Sequence, residues 1–295
     1  MRIVAKAVNS SGSNPVTGRL FGESQNRGRG KLMVWQIQQI SDVGTSNPIV
    51  ARMAIGIMKI IDFSTLDKNR KENLKANCFE IMNLLTLAEK TAKPIVEEIA
   101  KIKEQINAKG IQTQSFGRCI DVPAALRIED ARVFIKYAKQ GLHEIAENIN
   151  IIYDKKFDGP HFHKIQDYFI SEFGENFIIS KLLNEDQAWI KQIIDLRNED
   201  EHPKTGKSFV NNFNVQPKAP GGFTIFLPTF FNGIQIASAL EVFSHNLLTF
   251  AEEITVFSLT EKFFPAIATV YEIPAAERNQ DSPIRFRVGL KEAVK

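Results

Sequence analysis

The sequence predicts a mainly α-helical fold, an antiparallel helical bundle to which β-hairpins are added. Three observations carry this prediction. Apolar residues recur three and four positions apart over long stretches, as they do along one face of an α-helix. Several stretches show this spacing, and in each of them the apolar residues form one narrow stripe, called a seam below. Several helices with narrow seams favour packing side by side in a bundle. Two other stretches alternate apolar and polar residues around Pro- and Gly-containing turns, which indicates hairpins.

The first helical region is expected over residues 48–110. In the stretch "NPIVARMAIGIMKIIDF", Asn47 suits an N-cap and Pro48 suits the first helical position, so a short helix should start there.

A long helix should follow from Ser64 to residue 109. Ser64 and Asp67 resemble a capping box with Asp in place of Glu. Pro94 should kink or split this helix, and Gly110 should end it. The seam of the helix is Leu74, Cys78, Ile81, Leu85, Ala88, Ala92, Ile95, Ile99, Ile102 and Ile106.

A second helical region is expected over residues 120–262. It contains a helix over 128–152, a shorter one over 161–173, one that starts near Glu175, and a last one over 236–257. The first, third and fourth of these helices each have an apolar seam. In chain order the seams are Ile128, Ala131, Ile135, Ala138, Leu142, Ile145, Ile149 and Ile152; Ile179, Leu182, Leu183, Ile190, Ile193 and Ile194; and Ile236, Leu240, Phe243, Leu247, Phe250, Ile254 and Phe257.

The β-structure is expected in three places. A hairpin is inserted in the second helical region at "KSFVNNFNVQPKAPGGFTIFLPTFF", and another occupies residues 263–295. Residues 1–47 form a Gly-, Ser- and Arg-rich segment in which "KLMVWQIQQI" is a possible strand. The sequence therefore divides into residues 1–47, 48–110, 120–262 and 263–295.

The composition is that of a soluble globular protein. The chain has 295 residues, 43 % hydrophobic and 24 % charged, and a net charge of +3, which does not by itself indicate a nucleic-acid binder. Its two cysteines show no pairing pattern, which fits a reducing compartment. Without a signal-peptide pattern or a membrane-length apolar run, the sequence predicts a cytoplasmic protein with no membrane association.

The stretch "KQIIDLRNEDEHPKTGKS", residues 191–208, ends a predicted helix with an unusual set of polar residues. Arg197 continues the apolar stripe, where an unpaired charge is costly, so it should emerge at the end of the bundle, pair with an acid or bind an anion. His202 precedes Pro203, which disfavours helical backbone at His202. The helix should therefore fray just after Asn198, and the two side chains could converge on one point.

A guanidinium and an imidazole that converge suit a phosphodiester. Arg197 could donate two hydrogen bonds to the phosphate oxygens and stabilise the negative charge that develops on them. His202 could transfer a proton near neutral pH, and Asn198 could donate to the same oxygens or hold the imidazole. The alternative is that Arg197 only satisfies the last carbonyls of its helix, with His202 in an exposed turn.

The stretch "RNEDEHP" at the end of a bundle helix resembles the R-x4-6-H motif of the HEPN superfamily, over roughly residues 120–262. The resemblance implies a homodimeric, metal-independent endoribonuclease of toxin–antitoxin, abortive-infection or other prokaryotic defence systems. In that class the RNA 2′-hydroxyl attacks the adjacent phosphate and leaves a 2′,3′-cyclic phosphate. By position, the resemblance gives Arg197 the stabilisation of the transition state, His202 general acid or base catalysis, and Asn198 an assisting role, with no cofactor and no metal.

Other residues are weaker candidates for the same site. Lys204, Lys207 and Lys218 could track an RNA backbone, although solvated turn lysines are the simpler interpretation. Glu144 and Glu147 could orient Arg197, as bundle-helix acids often do in HEPN domains.

Partners other than RNA follow from the resemblance. An antitoxin or other defence protein is a possible partner. Lys204, however, stands where HEPN toxins that pair with nucleotidyltransferase antitoxins often carry Tyr, which argues against that antitoxin class. Two further hypotheses stay open: a non-catalytic HEPN-like binding or scaffold protein, and a nucleotide-binding sensor.

Overall fold

The computed structural model describes residues 3–8, 34–39, 43–113, 120–204, 206–218 and 222–291. It confirms a mainly helical fold. The helices are α1 (Pro48–Ala51), α2 (Ile57–Phe63), α3 (Lys68–Lys109), α4 (Ala131–Tyr153), α5 (Phe162–Phe173), α6 (Ile178–Glu201) and α7 (Ile236–Lys262). A π-helical segment, Arg52–Gly56, joins α1 to α2, and a 3₁₀ turn, Ile128–Asp130, precedes α4.

The predicted helix at Asn47 and Pro48 is confirmed. The Asn47 side chain accepts a hydrogen bond of 2.8 Å from the backbone N–H of Ile49, and Pro48 is the first residue of α1. This cap satisfies one of the N–H groups that a helix start leaves without a partner.

The start of α3 differs from the prediction. Ser64 ends α2, and its hydroxyl donates to the carbonyl of Ile61 at 2.8 Å. Asp67 is the N-cap of α3 and accepts from the backbone N–H of Arg70 at 3.0 Å. The predicted capping box on Ser64 is therefore wrong, because Ser64 is already used as the last turn of the helix before.

The 42 residues of α3 form one helix that passes through Pro94 without a break. Ala92 and Ile95 on either side of Pro94 are both buried, so tertiary packing holds both halves of α3 to the core. Of the two outcomes predicted at Pro94, a kink or a split, the split does not occur. Gly110 ends α3 as predicted, with φ at +68° and its N–H bonded to the carbonyl of Ile106.

The predicted seams of α3, α4, α6 and α7 are confirmed. All of their residues are buried except Ile194 and Phe257, which are partly buried against the core. At about 25 cal/mol per Å² of buried apolar surface, this core is the main stabilising contribution to the fold.

The helices pack antiparallel where side-chain contacts fix their direction. Arg70 near the start of α3 bonds the carbonyl of Ile151 near the end of α4, and Glu98 further along α3 accepts from the backbone of Arg127 just before α4. Arg70 also lies over the ring of Phe263, which follows α7. Helix α3 is therefore antiparallel to both α4 and α7.

The end of α6 differs from the prediction, which placed it just after Asn198. The helix continues to Glu201, and His202 follows with φ at −137° and ψ at 72°. Pro203 keeps His202 out of the helical region, as predicted, but the residues before it stay helical. Their carboxylates pair with Arg197 and with cations on α4, which holds the last turn together.

The strands form five antiparallel pairs within the described residues. The inserted hairpin and the C-terminal hairpin are confirmed, as is the strand in "KLMVWQIQQI". Residues 9–30, the Gly-, Ser- and Arg-rich part of the N-terminal segment, lie outside the described residues, as does Cys119. The pairs are β1 (Ile3–Val8) with β2 (Val34–Gln39), β3 (Gln112–Thr113) with β4 (Ile120–Asp121), β5 (Val210–Asn211) with β8 (Thr229–Phe230), β6 (Asn214–Pro217) with β7 (Phe223–Phe226), and β9 (Ala268–Glu272) with β10 (Phe286–Leu290).

One ion pair lies deep in the bundle. Nε and Nη2 of Arg52 contact the same Glu252 oxygen, Oε2, at 2.7 and 2.6 Å, and the two side chains are 7 % and 1 % exposed. Arg52 belongs to the π-helical segment and Glu252 to α7, so the pair ties the N-terminal helix to the bundle.

Among the helices that the structure describes, none has the length and apolar content needed to cross a membrane.

Candidate functional site

A polar groove of about 460 Å³ opens between α3, α4 and α6. Helix α4 contributes one stripe of residues to it, because positions three, four and seven apart share a helix face. The residues that line the groove are Glu80, Leu84, Lys136, Lys139, Gln140, His143, Glu144, Pro160, Arg197 and Glu201.

Arg197, the first residue of the motif "RNEDEHP", lines this groove. Its guanidinium is held by two carboxylates of the same helix turn: Nη1 contacts Asp200, and Nη2 contacts Glu201 at 2.9 Å. The Arg197 side chain is 20 % exposed. Of the outcomes expected for a charge on the apolar stripe, pairing with an acid is therefore the one that these contacts show.

The carboxylates are shared with cations on α4. Asp200 also contacts Arg132, whose guanidinium lies 4.6 Å from the ring centroid of Phe209. Glu201 also contacts Lys139 at 3.2 Å. The result is an alternating charge network in which each acid bridges two cations.

The network changes the ionisation of Glu201. The hydrogen bond from Lys139 lowers the pKa of the Glu201 carboxyl, and the charges of Lys139 and Arg197 lower it further. The carboxylate of Glu201 therefore stays ionised to a lower pH than that of a free glutamate.

Asn198 and His202 are not among the residues that line the groove with Arg197. Asn198 is exposed, and its side-chain oxygen lies 3.3 Å from Nζ of Lys139. His202 is exposed at the helix end and donates its backbone N–H to the carbonyl of Asn198 at 2.9 Å. His202 is not among the residues that line the groove around Arg197.

The two acids predicted to orient Arg197 have other contacts. Glu144 lines the groove, but its carboxylate lies 3.5 Å from Nδ1 of His143. Glu147 accepts a hydrogen bond of 2.8 Å from Asn150. In the described part of the chain, the ion pairs of Arg197 are with Asp200 and Glu201 instead.

The three lysines predicted to follow an RNA backbone are all exposed. Lys204 follows the end of α6, and its backbone N–H donates to Glu199 at 3.0 Å. Lys207 precedes β5, and Lys218 follows β6 in the inserted hairpin. None of the three lines the groove.

Three cationic or titratable groups at the site were not singled out from the sequence as site residues: Lys136, Lys139 and His143. The stripe they form on α4 was readable as polar positions beside the buried seam, but nothing in the sequence placed it against α6.

Over the described residues, no cluster of three or more His, Cys, Asp or Glu side chains has the arrangement of a metal site.

Comparison of the chain with known protein families, with curated proteins and with solved structures finds no match.

Proposed function

We propose that the protein is a metal-independent endoribonuclease of the HEPN type, with its active site at the groove that Arg197 borders. The observation that supports this proposal best is the position of Arg197. It ends the apolar stripe of a bundle helix and points its guanidinium into a polar groove that also contains Lys136, Lys139 and His143. A groove of about 460 Å³ falls within the range of small-ligand sites, so it can admit a nucleotide of a single strand.

The chemistry proposed is transfer of the phosphoryl group within the RNA. The 2′-hydroxyl attacks the adjacent phosphorus, the bond to the 5′-oxygen breaks, and a 2′,3′-cyclic phosphate and a 5′-hydroxyl result. Arg197 stabilises the charge that develops on the phosphate oxygens, and His202, which directly follows the groove residue Glu201 at the exposed end of α6, transfers a proton. Asn198, exposed beside His202, assists by donating to the phosphate.

Arg197 must exchange carboxylates for phosphate oxygens before it can act. Its two partners differ in exposure, since the side chain of Glu201 is 37 % exposed and that of Asp200 is 10 % exposed. The exposed pair with Glu201 contributes only about 0–1 kcal/mol, so an RNA phosphate can replace this pair first. A guanidinium can bind a phosphate through two parallel N–H···O hydrogen bonds, as it binds a carboxylate.

The proposed assembly is a homodimer that places two such grooves along one RNA. The exposed lysines Lys204, Lys207 and Lys218 then contact the backbone outside the groove. The cellular role proposed is growth arrest or antiviral defence in a prokaryotic cytoplasm, with an antitoxin or another defence protein as a possible regulator.

The test is cleavage of a fluorescent single-stranded RNA by the purified chain in EDTA. We expect products with 2′,3′-cyclic phosphate ends. Replacing Arg197 by Ala should lower the rate about 100- to 1,000-fold, the usual cost of one donor to a developing oxyanion. His202→Gln should lower it by a similar factor. The control Arg287→Ala changes an exposed arginine on β10 and should leave the rate unchanged.

The proposal fails if the wild type does not cut RNA, or if the Arg197 and His202 variants cut it as fast as the wild type. The 2′,3′-cyclic end distinguishes this chemistry from a contaminating hydrolase that leaves 5′-phosphates.

A second candidate function is RNA binding without cleavage, as a non-catalytic HEPN-like protein. The observation that favours it is the pairing of both terminal nitrogens of Arg197, Nη1 with Asp200 and Nη2 with Glu201, so that a phosphate has to compete with two carboxylates. In that case RNA binds the cationic edge of α4 and α6, but no cyclic phosphate appears. Binding that persists with intact RNA after long incubation would favour this candidate.

A further inference from the structure

We propose that His143 is the general base of the groove, complementary to a general-acid role for His202. This inference rests on the endoribonuclease function proposed above and assigns a second proton-transfer group to the same site. The sequence motif contains one histidine, whereas cleavage by 2′-hydroxyl attack needs one group to remove a proton and another to supply one. His143 is the histidine that lines the groove together with Arg197.

The placement of His143 follows from helix geometry. Lys136, Lys139 and His143 lie three and four positions apart, so they share one face of α4. Lys139 contacts Glu201, and Glu201 contacts Arg197. The α4 stripe that carries His143 therefore lies directly against the turn of α6 that carries Arg197.

The imidazole is accessible and has an oriented partner. The side chain of His143 is 57 % exposed, and its Nδ1 lies 3.5 Å from Oε1 of Glu144. A carboxylate beside Nδ1 favours the tautomer with a proton on that nitrogen, which leaves Nε2 as the acceptor. Glu144 thus serves as the orienting acid of His143, a role the sequence had assigned toward Arg197.

The charged groups around this imidazole come from all three helices that line the groove. They are Glu80 on α3, Lys136, Lys139 and Glu144 on α4, and Arg197 and Glu201 on α6. The charges of the three cations and the three acids cancel, so a phosphate that enters the groove gives the groove a net negative charge. The cations that this phosphate can pair with in the groove are Lys136, Lys139 and Arg197.

The step balances as follows. Nε2 of His143 takes the proton of the 2′-hydroxyl as the 2′-oxygen bonds to phosphorus. The bond between phosphorus and the 5′-oxygen breaks, and the 5′-oxygen takes a proton from His202 and leaves as a hydroxyl. Solvent then returns His143 to the neutral form and His202 to the protonated form.

The experiment compares His143→Ala with the wild type over a pH series, using the same RNA in EDTA. We expect His143→Ala to lower kcat about 100-fold or more, with little change in KM. Its profile should lose the limb in which activity rises with pH, because that limb reports the base. Added imidazole should restore part of the rate, which a loss of structure would not allow. His163→Ala, an exposed histidine on α5, is the matched control and should behave like the wild type.

Three outcomes are distinguishable. Loss of the acidic limb with imidazole rescue supports the assignment. A His143→Ala variant with wild-type activity, beside an inactive Arg197→Ala, overturns the role of His143 and leaves the ribonuclease intact. A wild type that does not cut RNA overturns both.

Discussion

Two arginines of this molecule lie on apolar helix faces, and both are held by carboxylates, but their surroundings differ. Arg52 and Glu252 meet between the N-terminal helix and α7, where their side chains are 7 % and 1 % exposed. Arg197, 20 % exposed, meets Asp200 and Glu201 within one turn of α6 at the edge of a groove, and these acids are 10 % and 37 % exposed.

The contrast separates a structural pair from an exchangeable one. Breaking a buried pair leaves an uncompensated charge in the core, whereas an exposed pair can give way to solvent or to a ligand. Burial raises the pKa of the Glu252 carboxyl even though Arg52 opposes the shift, and its Oε1 has no hydrogen-bond partner in the described residues. Arg197 is thus the arginine of the two that a phosphate can reach.

The largest effect should come from the buried side of this comparison. Replacing Glu252 by Ala should lower the free energy of unfolding by about 3–5 kcal/mol, because Arg52 is left buried without its anion. Urea denaturation followed by circular dichroism measures this change. Glu201→Ala is the matched control and should cost at most about 1 kcal/mol. Equal losses in the two variants would show that the pairs do not differ as their exposure indicates.

A smaller effect is expected when the exchangeable pair is loosened. Asp200→Asn removes the charge that holds Arg197 and Arg132, so RNA should bind several-fold more tightly. The stability loss should be about 1–3 kcal/mol, because the Asp200 side chain is 10 % exposed and its carboxylate contacts both arginines. Fluorescence anisotropy with an uncleavable 2′-deoxy strand measures the affinity.

Glu129→Gln is the control for Asp200→Asn, since Glu129 contacts Arg132 but not Arg197. If Asp200→Asn leaves the affinity unchanged or weakens it, Arg197 does not contact the phosphate. If affinity rises without any gain in cleavage of an all-RNA strand, the non-catalytic candidate is favoured.

The smallest effect is a pH dependence of stability at Glu201. The pKa of this carboxyl is lowered in the folded state, so its pairs stabilise the fold above the unfolded-state pKa of about 4.3. That contribution is lost as the pH falls through the lower folded-state pKa. The difference in unfolding free energy between wild type and Glu201→Gln should therefore be constant near neutral pH and shrink in acid. A difference that grows in acid would contradict the direction of the shift.

The helical seams were predictable because they depend on a local pattern. Residues such as Ile135 and Leu142 repeat at helical spacing, and burial of one face follows from the fold class. Helix boundaries were less predictable where two elements compete for one residue. Ser64 could cap α3 or close α2, and only the packing of both helices decides for α2.

The candidate site was predictable in part. The position of Arg197 on the apolar stripe and its need for an acid could be inferred from spacing alone. The end of α6 could not, because the charges that hold Asp200 and Glu201 in the last turn come from Arg132 and Lys139 on another helix. For the same reason, nothing in the sequence placed His143 in the same groove as Arg197.

The π-helical segment Arg52–Gly56 carries a consequence for insertions and deletions near the N-terminus. A π turn holds one residue more than an α turn, and each residue rotates a helix by about 100°. Ile49 before the segment and Ile60 after it are both buried. Deleting one residue from the segment would keep both helices but turn Ile49 toward solvent. The extra residue of the π turn therefore sets the rotation of α1 relative to α2 that buries Ile49 and Ile60 in the same core.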